Sequence, residues 1–185
     1  MSRVAVVLAA GAARRFGSDK LSATFRGEPL FVHALRAACA APVDRVILVA
    51  HPALQIDAQL DGPPLRVVRV STTALSDSLR AGIAAAGEVD SMFVFLGDMP
   101  LVPHDVAPKL ADRIGAGYAA LPRHQSELGH PVLLSARALR DMAALTGDAG
   151  AGKLLRSRDD VVLVDVDNAA VLADVDRPGD LARLS

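Results

Sequence analysis

Lys20, Asp98, Asp174 and Asp176 are the side chains best suited to chemistry here, because each follows closely on a short apolar run. Residues 4–9 are wholly apolar and pass through Ala10-Gly11 into a glycine–alanine segment that carries Arg15 and ends at Lys20. Small residues let backbone N–H groups close on a ligand, and the two cations then meet negative oxygens. That combination suits a nucleoside triphosphate. It is not the usual P-loop, because Gly11 and Gly17 stand six apart and Ser18-Asp19 precede the lysine. Nor is it the Gly-x-Gly-x-x-Gly dinucleotide fingerprint.

A second apolar run, residues 92–96, ends in Gly97-Asp98-Met99-Pro100. A carboxylate there is placed to hold Mg²⁺, which takes few protein carboxylates and leaves its other positions to phosphate and water. The plainer alternative has Asp98 capping the turn before Pro100. Near the C-terminus, Asp174 and Asp176 are spaced by two, so on an extended segment they point the same way and either could serve the same ion. Asp180 reads instead as a first-turn residue satisfying free N–H groups after Pro178. Asp165 and Asp167 share the two-residue spacing but read as solvated. Ser76 and Ser78 stand at a helix start after the third strand, where hydroxyls can hold a base edge, ribose or phosphate; ordinary N-capping by Ser76 explains that position equally well. Gly129-His130-Pro131 precedes another strand, and His130 could hydrogen-bond a ligand. The glycine-rich run 147–153 reads as a loop touching substrate.

These residues need strand ends to carry them, and the chain supplies them. Strands are expected at residues 4–9, 45–50, 65–70, 92–96, 118–121, 132–134, 161–164 and 170–173, alternating with helical patterns. That alternation is the mark of an α/β protein with a mostly parallel sheet, in which ligands sit beyond the carboxyl ends of the strands. The 185 residues are expected to form a single domain, 1–185. Composition is 51% hydrophobic but only 3% aromatic, so the core must be aliphatic. Twenty Lys+Arg against 21 Asp+Glu give a net charge of −1, which leaves no global basic field for nucleic acid or an anionic membrane surface. The lone cysteine, Cys39, permits no internal disulfide and reads as a small core residue. The first strand begins with no apolar leader and no run approaches the roughly 18 residues a membrane span needs. A cytoplasmic location is the expectation.

Taken together, the segments resemble the molybdenum cofactor nucleotidyltransferases. The likeness rests on Leu8-Ala9-Ala10-Gly11 with Arg15-Phe16-Gly17 and Lys20-Leu21, on Ser76-x-Ser78-Leu79-Arg80-x-Gly82, on Gly97-Asp98-Met99-Pro100, on Gly129-His130-Pro131-Val132 and on Asp174-Val175-Asp176-x-Pro178. The first motif is shared with sugar-nucleotide and isoprenoid-precursor nucleotidyltransferases; the combination is narrower. The resemblance implies a Rossmann-like three-layer fold and Mg²⁺-dependent transfer of a nucleoside monophosphate to the terminal phosphate of molybdopterin, with release of pyrophosphate. It implies that Leu8, Ala9, Ala10, Gly11, Arg15 and Lys20 bind the nucleotide with Ser76 and Ser78. Asp98 would hold the metal with Asp174 or Asp176, Arg15, Lys20 and Asp98 would carry the chemistry, and Gly129 and His130 would line the acceptor pocket. A molybdoenzyme or its chaperone is the implied recipient of the product.

Leu-Ala-Ala-Gly with Gly-His-Pro looks more like the cytidylyltransferases, whereas guanylyltransferases tend to carry Leu-Ala-Gly-Gly. A methyl at Ala10 near the base would favour CTP over GTP by only about 1–3 kcal/mol. Three positions depart from the family pattern: Ala13 replaces a serine, and Ala74 and Ser126 replace glycines. Guanylyl transfer, transfer to a sugar phosphate, and a nucleotide-binding or NAD(P)-dependent oxidoreductase relative stand as alternatives.

Overall fold

Alternate residues of a strand face opposite sides of a sheet, and in the first strand both sets are apolar, so that strand must be covered on both faces. The computed structural model, which describes residues 1–11, 20–72, 74–144 and 150–184, has this arrangement. The chain runs β1 (Arg3–Ala9), a 3₁₀ turn Lys20–Ser22, β2 (Thr24–Phe25), β3 (Glu28–Pro29), α1 (Leu30–Cys39), β4 (Arg45–Ala50) and β5 (Leu65–Arg69). It continues through α2 (Leu75–Ala86), β6 (Ser91–Leu96), α3 (Val106–Arg113), β7 (Ala119–His124), β8 (Glu127–Leu128) and β9 (Val132–Ser135). The last elements are α4 (Ala136–Ala144), α5 (Gly150–Arg156), β10 (Val161–Asp165), a second 3₁₀ turn Ala169–Leu172, and α6 (Pro178–Leu184).

The main sheet has the order β10-β7-β9-β6-β1-β4-β5, with β8 paired to β7. Strand β1 lies parallel between β4 and β6, Val6 standing opposite both Ile47 and Val94. Ala5, Val7 and Ala9 join the core layer under α1 and α3, while Val4, Val6 and Leu8 join the opposite layer under α2 and α4. The result is an α/β sandwich whose central strands are buried on both sides. No helix among the described residues is long and apolar enough to cross a membrane.

Pairing and turn chemistry bear out some expectations and correct others. Strand β9 runs antiparallel to β6 and β7, so the sheet is mixed although mostly parallel. Residues 170–173 are a 3₁₀ turn rather than a strand: the Asn168 side chain accepts the Ala170 N–H and starts the turn. The Val171 carbonyl then accepts the His130 N–H at 2.9 Å instead of joining a ladder. Helix α2 begins at Leu75, so Ser76 does not cap it; the Thr72 hydroxyl accepts the Ala74 N–H at 3.1 Å and donates to Asp77 at 2.8 Å. Cys39 is only partly buried, packed beside the core at the end of α1. Asp165, expected to be solvated, is 73% exposed and pairs with Arg123 at 2.7 Å on β10.

Beneath the sheet's carboxyl edge lies a small satellite core of Phe25, Leu30 and Val175, with Leu101, Leu181 and Leu184 against it. It joins the β2–β3 hairpin to the C-terminal helix. The hairpin turns on Arg26 and Gly27, both at positive φ (48° and 88°), a conformation for which Gly27 is suited.

Candidate active site

Strand β6 must end very close to β1 for their carboxyl ends to share a ligand, and Gly97 makes this possible. Its N–H donates to the Leu8 carbonyl at 2.9 Å, and a methyl built on it would meet that oxygen at 3.1 Å and the Ala9 Cβ at 3.2 Å. Asp98 follows, held just beyond the strand ends. The Asp98 carbonyl accepts the Val175 N–H at 2.9 Å, which draws the C-terminal segment to the same place. Val175 is wholly buried in the satellite core, so its neighbours Asp174 and Asp176 are set beside Asp98 by apolar packing rather than by their own charges. Asp180, in the first turn of α6, accepts the N–H groups of Asp176 at 3.0 Å and Arg177 at 2.8 Å. Those two N–H bonds hold its carboxyl below the usual carboxylate range.

Lys20 meets this cluster from the other side. Its Nζ donates to Asp98 Oδ2 at 2.8 Å and lies 3.5 Å from Asp176 Oδ1. The lysine side chain is only 12% exposed, against 26% for Asp98 and 52% for Asp176. Asp174 stands in the same field. Burial first, then the Asp176 charge, push its carboxyl above the usual range, and Asp98 adds to this while Lys20 opposes it. Three carboxylates therefore face one ammonium. Two of them converge on a single cationic point, and their hard oxygen donors are of the type Mg²⁺ takes. Among the described residues no group of three His, Cys, Asp or Glu side chains is ready-made for a metal. The donor set therefore fits an ion completed by phosphate and water, and not a closed protein cage.

On the α2/α4 side of the sheet, a cavity of about 240 Å³ opens beside Leu8 and Leu96, the last residues before Ala9 and Gly97. Ser76, Gly129 and His130 line it together with a largely aliphatic wall that includes Leu79, Val94 and Leu155. Leu75 at its edge is 54% exposed. His130 Nδ1 is buried with no hydrogen-bond partner among the described residues. Burial pushes the imidazole below the ordinary histidine range, against the pull of the Val94 backbone and the Asp98 charge. His130 thus lines the cavity and lies within the field of the Asp98 charge. Gly129 is required here by close approach: a methyl on it would stand 2.9 Å from the Val171 carbonyl carbon and from Val171 Cγ2, with the carbonyl oxygen nearer still.

The expected residues divide accordingly. Lys20, Asp98, Asp174 and Asp176 come together; Leu8, Ser76, Gly129 and His130 share the cavity. Ala9 and Ala10 are buried at the end of β1, and Gly11 follows them at the surface. Ser78 is buried within α2, its hydroxyl turned toward the Ala74 carbonyl at 3.4 Å. Arg15 lies outside the described residues, as do residues 147–149 of the glycine-rich run, whose later part forms α5 and gives Ala151 and Gly152 to the cavity wall. The packing role of Val175 was not read from the sequence. Its signal was an apolar residue between two aspartates ahead of the apolar pair Leu181 and Leu184.

Known proteins agree with this architecture. The chain is 28% identical over 169 residues to the purine catabolism protein PucB of Bacillus subtilis (strain 168), covering 83% of this chain and 80% of PucB. The crystal structure of Rv0371c from Mycobacterium tuberculosis H37Rv superposes with a TM-score of 0.85 at 29% identity, covering 100% of this chain and 97% of that one. A complex of Rv0371c with manganese gives 0.81 at 30% identity, covering 100% and 98%. The MobA-like NTP transferase domain matches residues 5–161, and with the strand-end carboxylates and Lys20 in place the chain belongs to that family of nucleotidyltransferases.

Proposed function

We propose that the chain, as one domain over residues 1–185, transfers CMP from CTP to the terminal phosphate of molybdopterin and releases pyrophosphate, using Mg²⁺ as its metal. The observation that carries this reading is the convergence of Lys20, Asp98 and Asp176 at the sheet's carboxyl edge. Nucleotidyl transfer asks little covalent chemistry of the protein, so position and charge neutralisation account for the rate. The manganese held by Rv0371c supports a divalent ion in this fold.

Asp98, with Asp176 or Asp174, would hold Mg²⁺, which when bound supplies positive charge against the oxygens of the α-phosphoryl group. Lys20 neutralises charge that grows on the same oxygens, and Arg15 steadies the departing pyrophosphate. The acceptor phosphate is already anionic and needs no general base. His130, kept neutral by burial, offers its unpaired Nδ1 to the acceptor. The cavity beside it, lined by Ser76, Gly129 and His130, supports seating the acceptor there, and molybdopterin as that acceptor rests on the likeness of the motifs. Cytidylyl rather than guanylyl transfer rests on Leu8-Ala9-Ala10-Gly11.

A pyrophosphate-release screen over CTP, GTP, ATP and UTP, with molybdopterin and sugar phosphates as acceptors, tests this. CTP with molybdopterin should dominate. Equal or greater turnover with GTP, or with a sugar phosphate, would replace the reading by the corresponding alternative.

A further inference from the structure

The Lys20 ammonium stands where two of the proposed metal-binding carboxylates converge. It is hydrogen-bonded to Asp98 at 2.8 Å, near Asp176 at 3.5 Å, and largely shielded from solvent. A divalent ion bound to Asp98 and Asp176 would compete with the ammonium for the same two carboxylates and the space between them. Two cations sharing that point repel strongly at such separations. The carboxylates need a cation as well, because Asp98 and Asp176 both reach one point, 2.8 and 3.5 Å from the ammonium, and would repel each other unrelieved without it. The cluster is therefore built for exchange: one cation leaves as another arrives. Lys20 can leave because its charge sits on a long flexible stem, and its natural destination is an anion.

We propose that Lys20 is the resident counter-ion of the carboxylate cluster, displaced only when the metal arrives together with a triphosphate that gives the ammonium a new partner. This regulation of metal entry rests on the reading of Asp98 and Asp176 as metal ligands. It makes metal and nucleotide binding mutually dependent, and linkage requires each to strengthen the other by the same factor. Bare metal ions are then held weakly. The lysine serves binding order as well as charge neutralisation.

The test is Mn²⁺ binding in the absence of any turnover, followed by electron paramagnetic resonance and calorimetry, with and without a non-hydrolysable CTP analogue. The full chain is compared with Lys20→Met, Lys20→Arg, Asp98→Asn and Asp176→Asn. Wild type should bind Mn²⁺ alone weakly and about tenfold or more tighter with the analogue, within the usual range of such couplings. Lys20→Met should bind Mn²⁺ alone about tenfold or more tighter than wild type, with the nucleotide dependence largely gone. Lys20→Arg keeps the charge, should fold as wild type does, and should still bind bare Mn²⁺ weakly. Bare-metal affinity that is unchanged or weaker in Lys20→Met, while Asp98→Asn and Asp176→Asn reduce it, would overturn the exchange and leave the metal site standing. Mn²⁺ affinity indifferent to both Asp→Asn changes would overturn the metal site and the exchange together. Should Lys20→Met fail to fold, equally tight bare-metal binding by wild type and Lys20→Arg, with no gain from the analogue, would also overturn it.

Discussion

Gly129→Ala should damage both stability and the acceptor side of the reaction while sparing the nucleotide side. The added methyl would lie 2.9 Å from the Val171 carbonyl carbon and Cγ2, where ordinary contacts begin at 3.4 Å. Both partners are constrained. Val171 is wholly buried, and its carbonyl accepts the His130 N–H at 2.9 Å. Gly129 itself donates to the Pro122 carbonyl at 2.9 Å. Relief of more than half an ångström, since the Val171 carbonyl oxygen stands nearer still, must therefore come from backbone on one side or the other, and either movement shifts His130. Inserting one methyl into a packed interior costs about 1–3 kcal/mol. For a chain of this size that corresponds to a fall in melting temperature of about 2–12 °C. Differential scanning calorimetry reads that term, and steady-state kinetics should show a raised KM for the acceptor with the KM for CTP near wild type. Gly179→Ala is the control: nothing lies within 4 Å of its methyl, and Gly179 sits in α6, so the change should leave stability equal or higher. A Gly129→Ala protein that melts with wild type and keeps its acceptor KM would refute the close-approach reasoning.

Asp98→Asn should lower CTP-dependent pyrophosphate release about a hundredfold or more, by analogy with loss of one preorganised charge contact, as single-turnover kinetics would show. Val175→Ala removes methyl groups from a fully buried site and should cost about 1.5–3 kcal/mol on chemical denaturation, with weaker metal binding because Asp176 is no longer held beside Lys20. Tyr118 is the sole tyrosine, and its hydroxyl donates to Asp141 at 3.0 Å. Burial first, then Asp141, push it up to about 12 from 10.0. A folded value above the unfolded one means its stabilising contribution is complete below pH 10 and lost as pH rises toward 12. Phenolate absorbance should accordingly stay low at pH 10 and rise together with loss of far-ultraviolet dichroism; full ionisation at pH 10 in the folded state would contradict it.

The parts of the site that were legible in the sequence are those where a chemical side chain follows an apolar run. Asp98 after residues 92–96 and Lys20 after the β1 loop needed only the rule that parallel strands deliver residues to their carboxyl ends. What escaped depended on contacts remote in sequence. The apolar residues 170–173 carry the composition of a strand, yet the Asn168 side chain and the demand of the His130 N–H make them a turn. The direction of β9 follows from its antiparallel register with β6 and β7, which its four residues do not encode. Serine favours the N-cap role, yet α2 has Ala74 at its N-cap with no side-chain cap, and the Thr72 hydroxyl accepts only the Ala74 N–H. That Ser76 and His130 share one cavity is a tertiary fact, visible only once α2 and the β8–β9 connection lie on the same face.

The most direct measurement is the anomalous scattering of Mn²⁺ in crystals grown with CTP. The account predicts a single peak about 2.1 Å from oxygens of Asp98 and of Asp176 or Asp174, typical of a small hard divalent ion, with phosphate oxygens completing its shell and Lys20 moved onto the triphosphate. A peak distant from Asp98, with Lys20 still seated between the two carboxylates, would contradict it.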